Sequence, residues 1–443
     1  MRKQIILVIT IILIISCSKE IKLEIPIIST DLSINEITSR TAILAGNIYK
    51  SSKDSIFSRG IVYGVNPNPT LADNYISEEQ GFDSFYSVIK GLNPGITYYS
   101  RVFLTSKVGT FYGKQLTFDT PQFDFDWIDN KGKAIISKKS EYIVLIPDIQ
   151  NYITGSTNNK YLEIMLNWIK NFDASGFHVK AILQMGDITN FNTKQEWMTA
   201  QKLFSNLDNK IDYIFCTGNH DYGDNGTTNN RTTHFNEYFS YANNKSYITS
   251  FEKQDFTNSC FNVSIHNKTF QIFSLEFGPR NKVLMWADSI TKANPTKSNM
   301  LLTHAYLYKN NERYDYSKFK YSQIVSPYSF ANSFPNFGKE KVNDGEEIWR
   351  KLIYSNHNFK FVFCGHITKP DYIGKLESKN QNNEDVLQML IDTQDLPNGG
   401  NGWIQILEFF DDEKTVGIKT FTTLFNSWGT DSIQQYNFKY NNN

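Results

Sequence analysis

Five short polar clusters in this chain carry side chains of the types that can bind metal ions and transfer protons. In chain order they are Pro147-Asp148-Ile149-Gln150, Gly186-Asp187-Ile188-Thr189-Asn190, Gly218-Asn219-His220-Asp221, Thr303-His304 and Gly365-His366-Ile367-Thr368. Carboxylate, amide and imidazole groups in one place are the ligand mixture of a hydrolytic centre with two metal ions. The side chains of these clusters are therefore the first candidates for a functional site.

Each cluster comes directly after an apolar run. The runs are YIVLI (142–146), AILQM (181–185), DYIFCT (212–217), NMLLT (299–303) and FKFVFC (359–364). Short apolar runs of this length predict buried strands. Because α/β sheets place their sites at strand ends, we expect the five clusters to converge on one edge of a sheet.

Length and charge limit the possible classes of protein. The chain has 443 residues, of which 40% are hydrophobic and 15% aromatic. This predicts two or three domains with a sizeable core. Lys plus Arg and Asp plus Glu both number 45, so the charge gives no indication of nucleic-acid binding.

The N-terminus has the pattern of a secretory signal. Arg2 and Lys3 precede an apolar stretch over 5–15, and Ser16-Cys17 follows. The apolar stretch is too short for a comfortable membrane span. Its end resembles a bacterial lipobox, which implies a signal peptide over 1–17, lipid on Cys17 and attachment to a membrane of the bacterial cell envelope, on the periplasmic face or the outer surface. The alternative is an ordinary signal or anchor helix with a chance cysteine.

Three cysteines remain if Cys17 carries lipid, namely Cys216, Cys260 and Cys364. An odd number cannot pair completely within one chain. Cys216 and Cys364 lie inside apolar runs, so we expect buried free thiols that behave as small hydrophobic groups.

The sequence pattern changes near residue 140. Short alternating runs over 25–120 predict a β-sandwich. The stretch 92–102 (LNPGITYYSRV) resembles the tyrosine-corner segment of fibronectin type III domains, and a generic sandwich is the alternative. Strands alternate with helix-like segments from 141 onward, as at 160–174 and 194–207, which predicts an α/β layout. Residues 305–345 lack a clear period and predict a long functional loop or insertion.

Taken together, the five clusters resemble the motifs of the calcineurin-like metallophosphoesterase family, over residues of about 141–440. The resemblance implies an α/β fold class: an N-terminal β-sandwich followed by a four-layer αββα metallophosphoesterase sandwich. It also implies two divalent metal ions, drawn from Mn, Mg, Fe or Zn.

The resemblance also implies a role for each cluster residue. Asp187 bridges the two ions and Asp148 binds the first. His220 acts on the phosphate or the leaving group, and Asp221 holds the ring of His220. The second ion is completed by Asn219, His304 and His366.

The chain departs from the family pattern at two positions. Gln150 and Thr368 stand where the family has histidines that serve the first metal. Gln150 is either a ligand through its side-chain oxygen or a hydrogen-bond donor, and Thr368 is a weak ligand at best. We therefore expect a weak, oxygen-rich first site that prefers Mn²⁺, Mg²⁺ or Ca²⁺ to Zn²⁺.

The resulting functional expectation is metal-dependent hydrolysis of a phosphate mono- or diester by a metal-activated hydroxide in the cell envelope. The substrate is phosphorylated but of unknown class. The alternative is a catalytically weak or inactive surface protein that binds a partner through the β-sandwich. Kinship to purple acid phosphatases is a third possibility, although Asn190 stands where those enzymes have a metal-binding Tyr. Arg313, after the His304 cluster, either lines a phosphate entrance or lies in a solvated loop.

Overall fold

The computed structural model describes residues 27–29, 36–37, 39–50, 56–79, 84–107, 109–121, 125, 135–155, 157–241, 244–368 and 372–440. The predicted signal peptide over 1–17, with Cys17, lies outside the described residues. The chain divides into two compact units. The first takes in the ranges 1–37, 42–89 and 96–119, and the second takes in 38–41, 90–95 and 120–443.

The N-terminal unit consists of two antiparallel sheets. Its strands are β1 (Ile27–Ser29), β2 (Glu36–Ile37), β3 (Thr41–Lys50), β4 (Ile56–Gly64), β5 (Asn74–Glu78), β6 (Phe85–Lys90), β7 (Thr97–Ser106), β8 (Gly109–Tyr112) and β9 (Leu116–Asp119). One sheet has the order β1-β3-β2, with β6 on β3, and the other has the order β5-β4-β7-β8, with β9 on β7. Buried and exposed residues alternate strictly along β6, as a strand requires when one face covers a core. The predicted β-sandwich is confirmed.

The second unit contains α-helices and two seven-stranded sheets. Its helices are α1 (Gln150–Ile153), α2 (Asn159–Ala174), α3 (Lys194–Phe204), α4 (Phe235–Tyr238), α5 (Asn281–Ala293), α6 (Tyr316–Phe319), α7 (Pro327–Ser333) and α8 (Gly345–Ile348), the last continuing as a π-helix over Trp349–Ile353. Its strands are β10 (Glu141–Ile146), β11 (His178–Gln184), β12 (Tyr213–Phe215), β13 (Tyr247–Glu252), β14 (Asp255–Ile265), β15 (Lys268–Leu275), β16 (Ser298–Thr303), β17 (Phe359–Cys364), β18 (Ile373–Lys379), β19 (Asp385–Ile391), β20 (Trp403–Phe409), β21 (Thr415–Thr422), β22 (Ser427–Trp428) and β23 (Gln435–Lys439).

The order of the strands places the ends of the parallel ones together. The first sheet runs β12-β11-β10-β20-β21-β22, with β23 on β21, and β10, β11 and β12 are parallel. The second runs β13-β14-β15-β16-β17-β19-β18, and β15, β16, β17 and β19 are parallel. Five of these seven parallel strands are followed by the five polar clusters.

Alternation along the second sheet shows the four layers. Met300 and Phe361 point into a core shared with the first sheet, whereas Leu301 and Val362, their neighbours in sequence, belong to a separate core with α5 and α8. The α2 helix covers the other face of the first sheet with Leu162, Met165, Leu166 and Ile169, whose i, i+3, i+4, i+7 spacing in the sequence is that of one face of a helix. Both faces of the central strands are therefore buried, which explains their continuous apolar runs. The predicted αββα sandwich is confirmed.

The three cysteines of the second unit, Cys216, Cys260 and Cys364, are buried and free. Burial raises the pKa of the Cys260 and Cys364 thiols to about 12. The expectation of buried, unreactive thiols is confirmed for these residues.

Candidate metal centre

Glycines in three of the clusters let the backbone lie close to side chains of the centre. A Cβ on Gly218 would lie 2.1 Å from Asp187 Oδ1, and a Cβ on Gly365 would lie 2.0 Å from Asp148 Oδ1. Real Cβ atoms essentially never approach a heavy atom closer than 3.0 Å. Gly186 has a φ of +93°, which glycine adopts without steric strain. Gly218 and Gly365 therefore allow the two carboxylates to lie close to the backbone.

Three acceptor atoms from strand ends of both sheets lie around a fourth, Nε2 of His304. This nitrogen lies 3.2 Å from Asp187 Oδ2, 3.2 Å from Asn219 Oδ1 and 3.0 Å from Nδ1 of His366. All four side chains are buried. The structure thus brings together the four residues that the sequence assigns to the second metal ion.

Backbone carbonyls determine which nitrogen of each imidazole faces this point. Nδ1 of His304 donates to the carbonyl of Met185 at 2.7 Å, and Nε2 of His366 donates to the carbonyl of Val325 at 2.6 Å. A carbonyl can only accept, so these nitrogens carry the protons. When both imidazoles are neutral, the other two nitrogens carry lone pairs that face each other. Hydrogen bonds of this kind orient metal-binding histidines.

The local electrostatics keep Asp187 and His366 in a form that binds metal, whereas they favour the protonated form of His304. Burial, together with the charge of His304, lowers the pKa of His366 to about 3. Burial also lowers the pKa of His304, but the Asp187 carboxylate outweighs it, so the net shift is upward. Burial raises the pKa of Asp187, yet the charges of His304 and His220 prevail and hold it below its usual range. Asp187 is therefore a carboxylate and His366 a neutral base.

This set of atoms fits a divalent metal ion. Two imidazole nitrogens, one carboxylate oxygen and one amide oxygen are ordinary ligands of first-row metals. Lone pairs only 3.0–3.2 Å apart repel one another unless a proton or a metal cation lies between them. Asp187, His304 and His366 offer ligand atoms that all lie within 4.8 Å of one another.

The first site is built differently. Oδ2 of Asp148 accepts from the backbone N–H of His366 at 3.0 Å, and Oδ1 has no hydrogen-bond partner. The amide nitrogen of Gln150 donates to Asp187 Oδ2 at 3.3 Å and to the side-chain oxygen of Gln394. Oε1 of Gln150, the atom that could bind metal, is buried without a partner. In this structure Gln150 therefore acts as a donor, one of the two roles that the sequence left open.

A further buried carboxylate, Asp392, lies beside the first site. Its Oδ2 accepts from the hydroxyl of Thr368 at 3.2 Å and from the amide of Gln394 at 3.0 Å. Burial raises the pKa of Asp392 to about 6, although the hydrogen bonds from Gln394 lower it. Burial and the charges of Asp392 and Asp187 raise the pKa of Asp148 well above its usual range. A nearby like charge disfavours the ionised form of a carboxyl group.

The ring of His220 is positioned by the backbone and not by Asp221. Nδ1 of His220 lies 2.9 Å from the carbonyl oxygen of Asn190. The Asp221 carboxylate instead accepts from the backbone N–H groups of Gly218, Ile188 and Thr189 and from the Thr189 hydroxyl, at 2.8–3.1 Å. The prediction that Asp221 holds the His220 ring is therefore wrong. The turn needs an acceptor for these amides, and Asp221 supplies it.

The segment after His304 is packed more tightly than the sequence suggests. Arg313 donates to Gln388 at 2.7 Å, pairs with Glu346 at 3.0 Å and lies 4.0 Å from the centre of the Trp349 ring. Both expectations for this residue, a phosphate entrance and a solvated loop, are therefore wrong. Its guanidinium is committed to internal contacts.

The sequence patterns did not predict several residues of the site. Asn190 and Val325 act through backbone carbonyls, which leave no trace in residue type. Asp392 follows the apolar run of β19, as the cluster residues follow theirs, so the rule that found the clusters would also have found it. Gln394 has no comparable signal.

Comparisons with known proteins agree with this geometry. The family model described as calcineurin-like phosphoesterase matches residues 142–370. The chain is 23% identical over 398 residues to the uncharacterized protein YvnB of Bacillus subtilis (strain 168), across 81% of this chain and 26% of that protein. The chain thus spans about a quarter of the length of this curated relative.

Two solved structures are also similar. Purple acid phosphatase PPD1 from yellow lupin (Lupinus luteus) seeds has 11% identity and a TM-score of 0.43, over 94% of this chain and 74% of that one. A fourth FNIII domain from human has 19% identity and a TM-score of 0.18, over 26% of this chain and 91% of that one. Since the family model covers more than half of the sequence, the chain belongs to the calcineurin-like phosphoesterase family.

Proposed function

We propose that this protein hydrolyses a phosphate mono- or diester at a centre that holds two divalent metal ions. The observation that carries the proposal is the convergence of lone pairs from Asp187, Asn219, His304 and His366, with both imidazole tautomers fixed by carbonyls. When bound, the metal ions would neutralise phosphoryl charge and lower the pKa of water.

The protein's own groups then orient the substrate and handle a proton. The Asn190 carbonyl accepts from Nδ1 of His220, so Nε2 is left for the substrate. The backbone N–H of His220 also donates to Asp187 Oδ1 at 2.9 Å, which ties the histidine to the bridging carboxylate. His220 is partly exposed, unlike the metal ligands. In its doubly protonated form, with a proton on Nε2 as well, it is the group placed to donate to a phosphoryl oxygen or to the leaving group.

Water exclusion around the imidazoles supports the same chemistry. The ring of Phe277 packs 6.0 Å from that of His304 and 5.5 Å from that of His366, between ring centres. Tyr314 packs 5.7 Å from His366. An apolar wall lowers the local dielectric constant and strengthens the interaction between ligands and cations.

The test is hydrolysis of chromogenic phosphate mono- and diesters by metal-loaded protein. His220→Ala should lower kcat at unchanged metal content, whereas His178→Ala, at an exposed histidine of the same unit, should leave it unchanged. No turnover of any ester by wild-type protein that holds two metal ions would contradict the proposal. It would favour the alternative of an inactive binding protein.

We further propose that the protein is anchored in the bacterial cell envelope through lipid on Cys17. The support is the lipobox-like end of the N-terminal apolar stretch. No helix among the described residues is long and apolar enough to cross a membrane. Replacing Cys17 by Ser should release the protein from the membrane fraction. A Cys17→Ser protein that stays in that fraction without lipid would overturn the proposal.

A further inference from the structure

Asp392 leaves the second sheet at the same edge as the metal-binding histidine His366. It directly follows β19, which pairs in parallel with β17, and Cys364 stands opposite Leu390 in the register. His366 follows β17 and Asp392 follows β19, and each lies two residues beyond this pair. Asp392 is completely buried. The topology therefore delivers a carboxylate to the edge of the sheet where the other ligands lie.

Asp392 contacts one of the two departures from the family pattern directly, and it is linked to the other through Gln394. Thr368, which stands in one of the histidine positions, donates to Asp392 Oδ2 at 3.2 Å. Gln394 donates to the same oxygen with its side-chain amide and to Oδ1 with its backbone N–H, both at 3.0 Å. The oxygen of that same amide accepts from Gln150, in the other histidine position. The two residues in the histidine positions are thus connected to the added carboxylate. The connected group consists of Thr368, Asp392, Gln394 and Gln150.

Charge balance at this group calls for cations. Four carboxylates of the centre are at most 2% exposed: Asp148, Asp187, Asp221 and Asp392. Within the described part of the chain, no Lys or Arg forms an ion pair with any of them, and His304 alone lies within 4.0 Å of two. Buried, uncompensated charge is strongly unfavourable.

Two buried oxygens also lack any donor. Asp148 Oδ1 and Gln150 Oε1 have no hydrogen-bond partner. A buried acceptor left without a donor destabilises the fold. A cation in the first site would satisfy both. These oxygens are a second sign of a ligand, independent of the acidic cluster itself.

We propose that Asp392 is a ligand of the first metal ion and replaces the imidazoles that Gln150 and Thr368 have displaced. This inference rests on the proposed metal centre. The first site then consists of oxygen atoms, from Asp148, Gln150, Asp187 and Asp392, whereas the second site has two imidazoles. Oxygen ligands favour Mg²⁺ and Mn²⁺, and imidazole favours later first-row ions. The two sites therefore take different ions when both kinds are present.

The test counts bound metal ions without using activity. Metal-free full-length protein is titrated with Mn²⁺, and free Mn²⁺ is measured by its electron paramagnetic resonance signal. Wild type should bind two ions, and Asp392→Asn should bind one, with the first-site Kd raised at least tenfold. The matched control is Asp395→Asn, the same chemical change at an exposed position of the same loop, and it should bind two ions like wild type.

Thermal unfolding without and with added Mn²⁺ separates a ligand from a structural acceptor. The deciding quantity is the stabilisation by added Mn²⁺, because Asp392→Asn also loses hydrogen bonds from Thr368 and Gln394 whether or not a metal ion is present. Added Mn²⁺ should stabilise the variant less than wild type. A metal-free variant that unfolds at a lower temperature, with Mn²⁺ stabilisation unchanged, would make Asp392 a structural residue.

Other outcomes distinguish the inference from the proposed function. Two ions bound by Asp392→Asn with wild-type affinity would overturn the role of Asp392 alone, and so would a single ion bound by wild type. No ion bound by wild type would remove the metal centre and the proposed function with it. If Asp392→Asn cannot be purified, Gln394→Ala loosens the same carboxylate and should weaken the first site about 10- to 100-fold. Unchanged first-site affinity in that variant would also overturn the inference.

Discussion

Replacing Gly365 by alanine tests whether the first metal site depends on the close approach of backbone and carboxylate. The added Cβ would lie 2.0 Å from Asp148 Oδ1, and real Cβ contacts stay beyond 3.0 Å. The carboxylate must therefore retreat by about 1 Å, whereas ligand distances in a metal site are held to about 0.2 Å. Asp148 cannot keep its place as a ligand after such a shift.

The expected result is loss of the first metal ion with the second retained. A misplacement of about 1 Å near the reacting groups costs on the order of 100-fold in rate, so kcat/KM should fall by about that factor. Overpacking of this kind also destabilises a fold by about 1–3 kcal/mol. Metal content after dialysis, kinetics on a chromogenic ester and thermal unfolding measure the three effects.

The control is Gly64→Ala, where the nearest heavy atom to the new Cβ is 3.8 Å away, an ordinary contact. It should match wild type in metal content and kinetics. If Gly365→Ala also binds two metal ions and keeps kcat/KM within twofold of wild type, Asp148 is not held where the structure places it. The geometry of the first site would then have to be abandoned.

Substitutions at three further positions have defined outcomes. His220→Ala should lower kcat by about 100- to 10,000-fold, the usual contribution of a proton-transferring group, with metal content unchanged by mass spectrometry. Val325→Gly should keep the second metal ion, because glycine suits its φ of +51°, whereas Val325→Pro should lose that ion, because proline fixes φ near −65° and moves the carbonyl that orients His366. Asp221→Asn should lower the thermal unfolding midpoint, because an amide cannot accept from all the donors that surround this carboxylate; an unchanged midpoint would show that these hydrogen bonds contribute no stability.

The elements that carry the site could be predicted from the sequence because burial leaves a pattern. Strands buried on both faces appear as continuous apolar runs, and the polar residue after each run marks the edge of the sheet. The run before His366 corresponds to β17 residue for residue (359–364). The amphipathic spacing of α2 identified its buried face for the same reason.

The orientation of the side chains could not be predicted in the same way. The partner of His220 is the carbonyl of Asn190, and every residue has a carbonyl. Asp221 follows His220 directly, which made it the obvious partner, but the turn directs its carboxylate to three backbone amides. Residue type fixes which groups are present, and only the path of the chain decides which groups meet.

The carbonyl of Val325 has a consequence for how such chains are compared. It lies in the segment 305–345, outside all five clusters, yet it determines which nitrogen of His366 carries a proton. A deletion or a shift of register in that segment would turn the wrong nitrogen toward the ion and leave every cluster letter intact. A motif scan would still score such a chain as a complete enzyme. Diagnosis of inactive relatives therefore has to include a segment that contains no ligand.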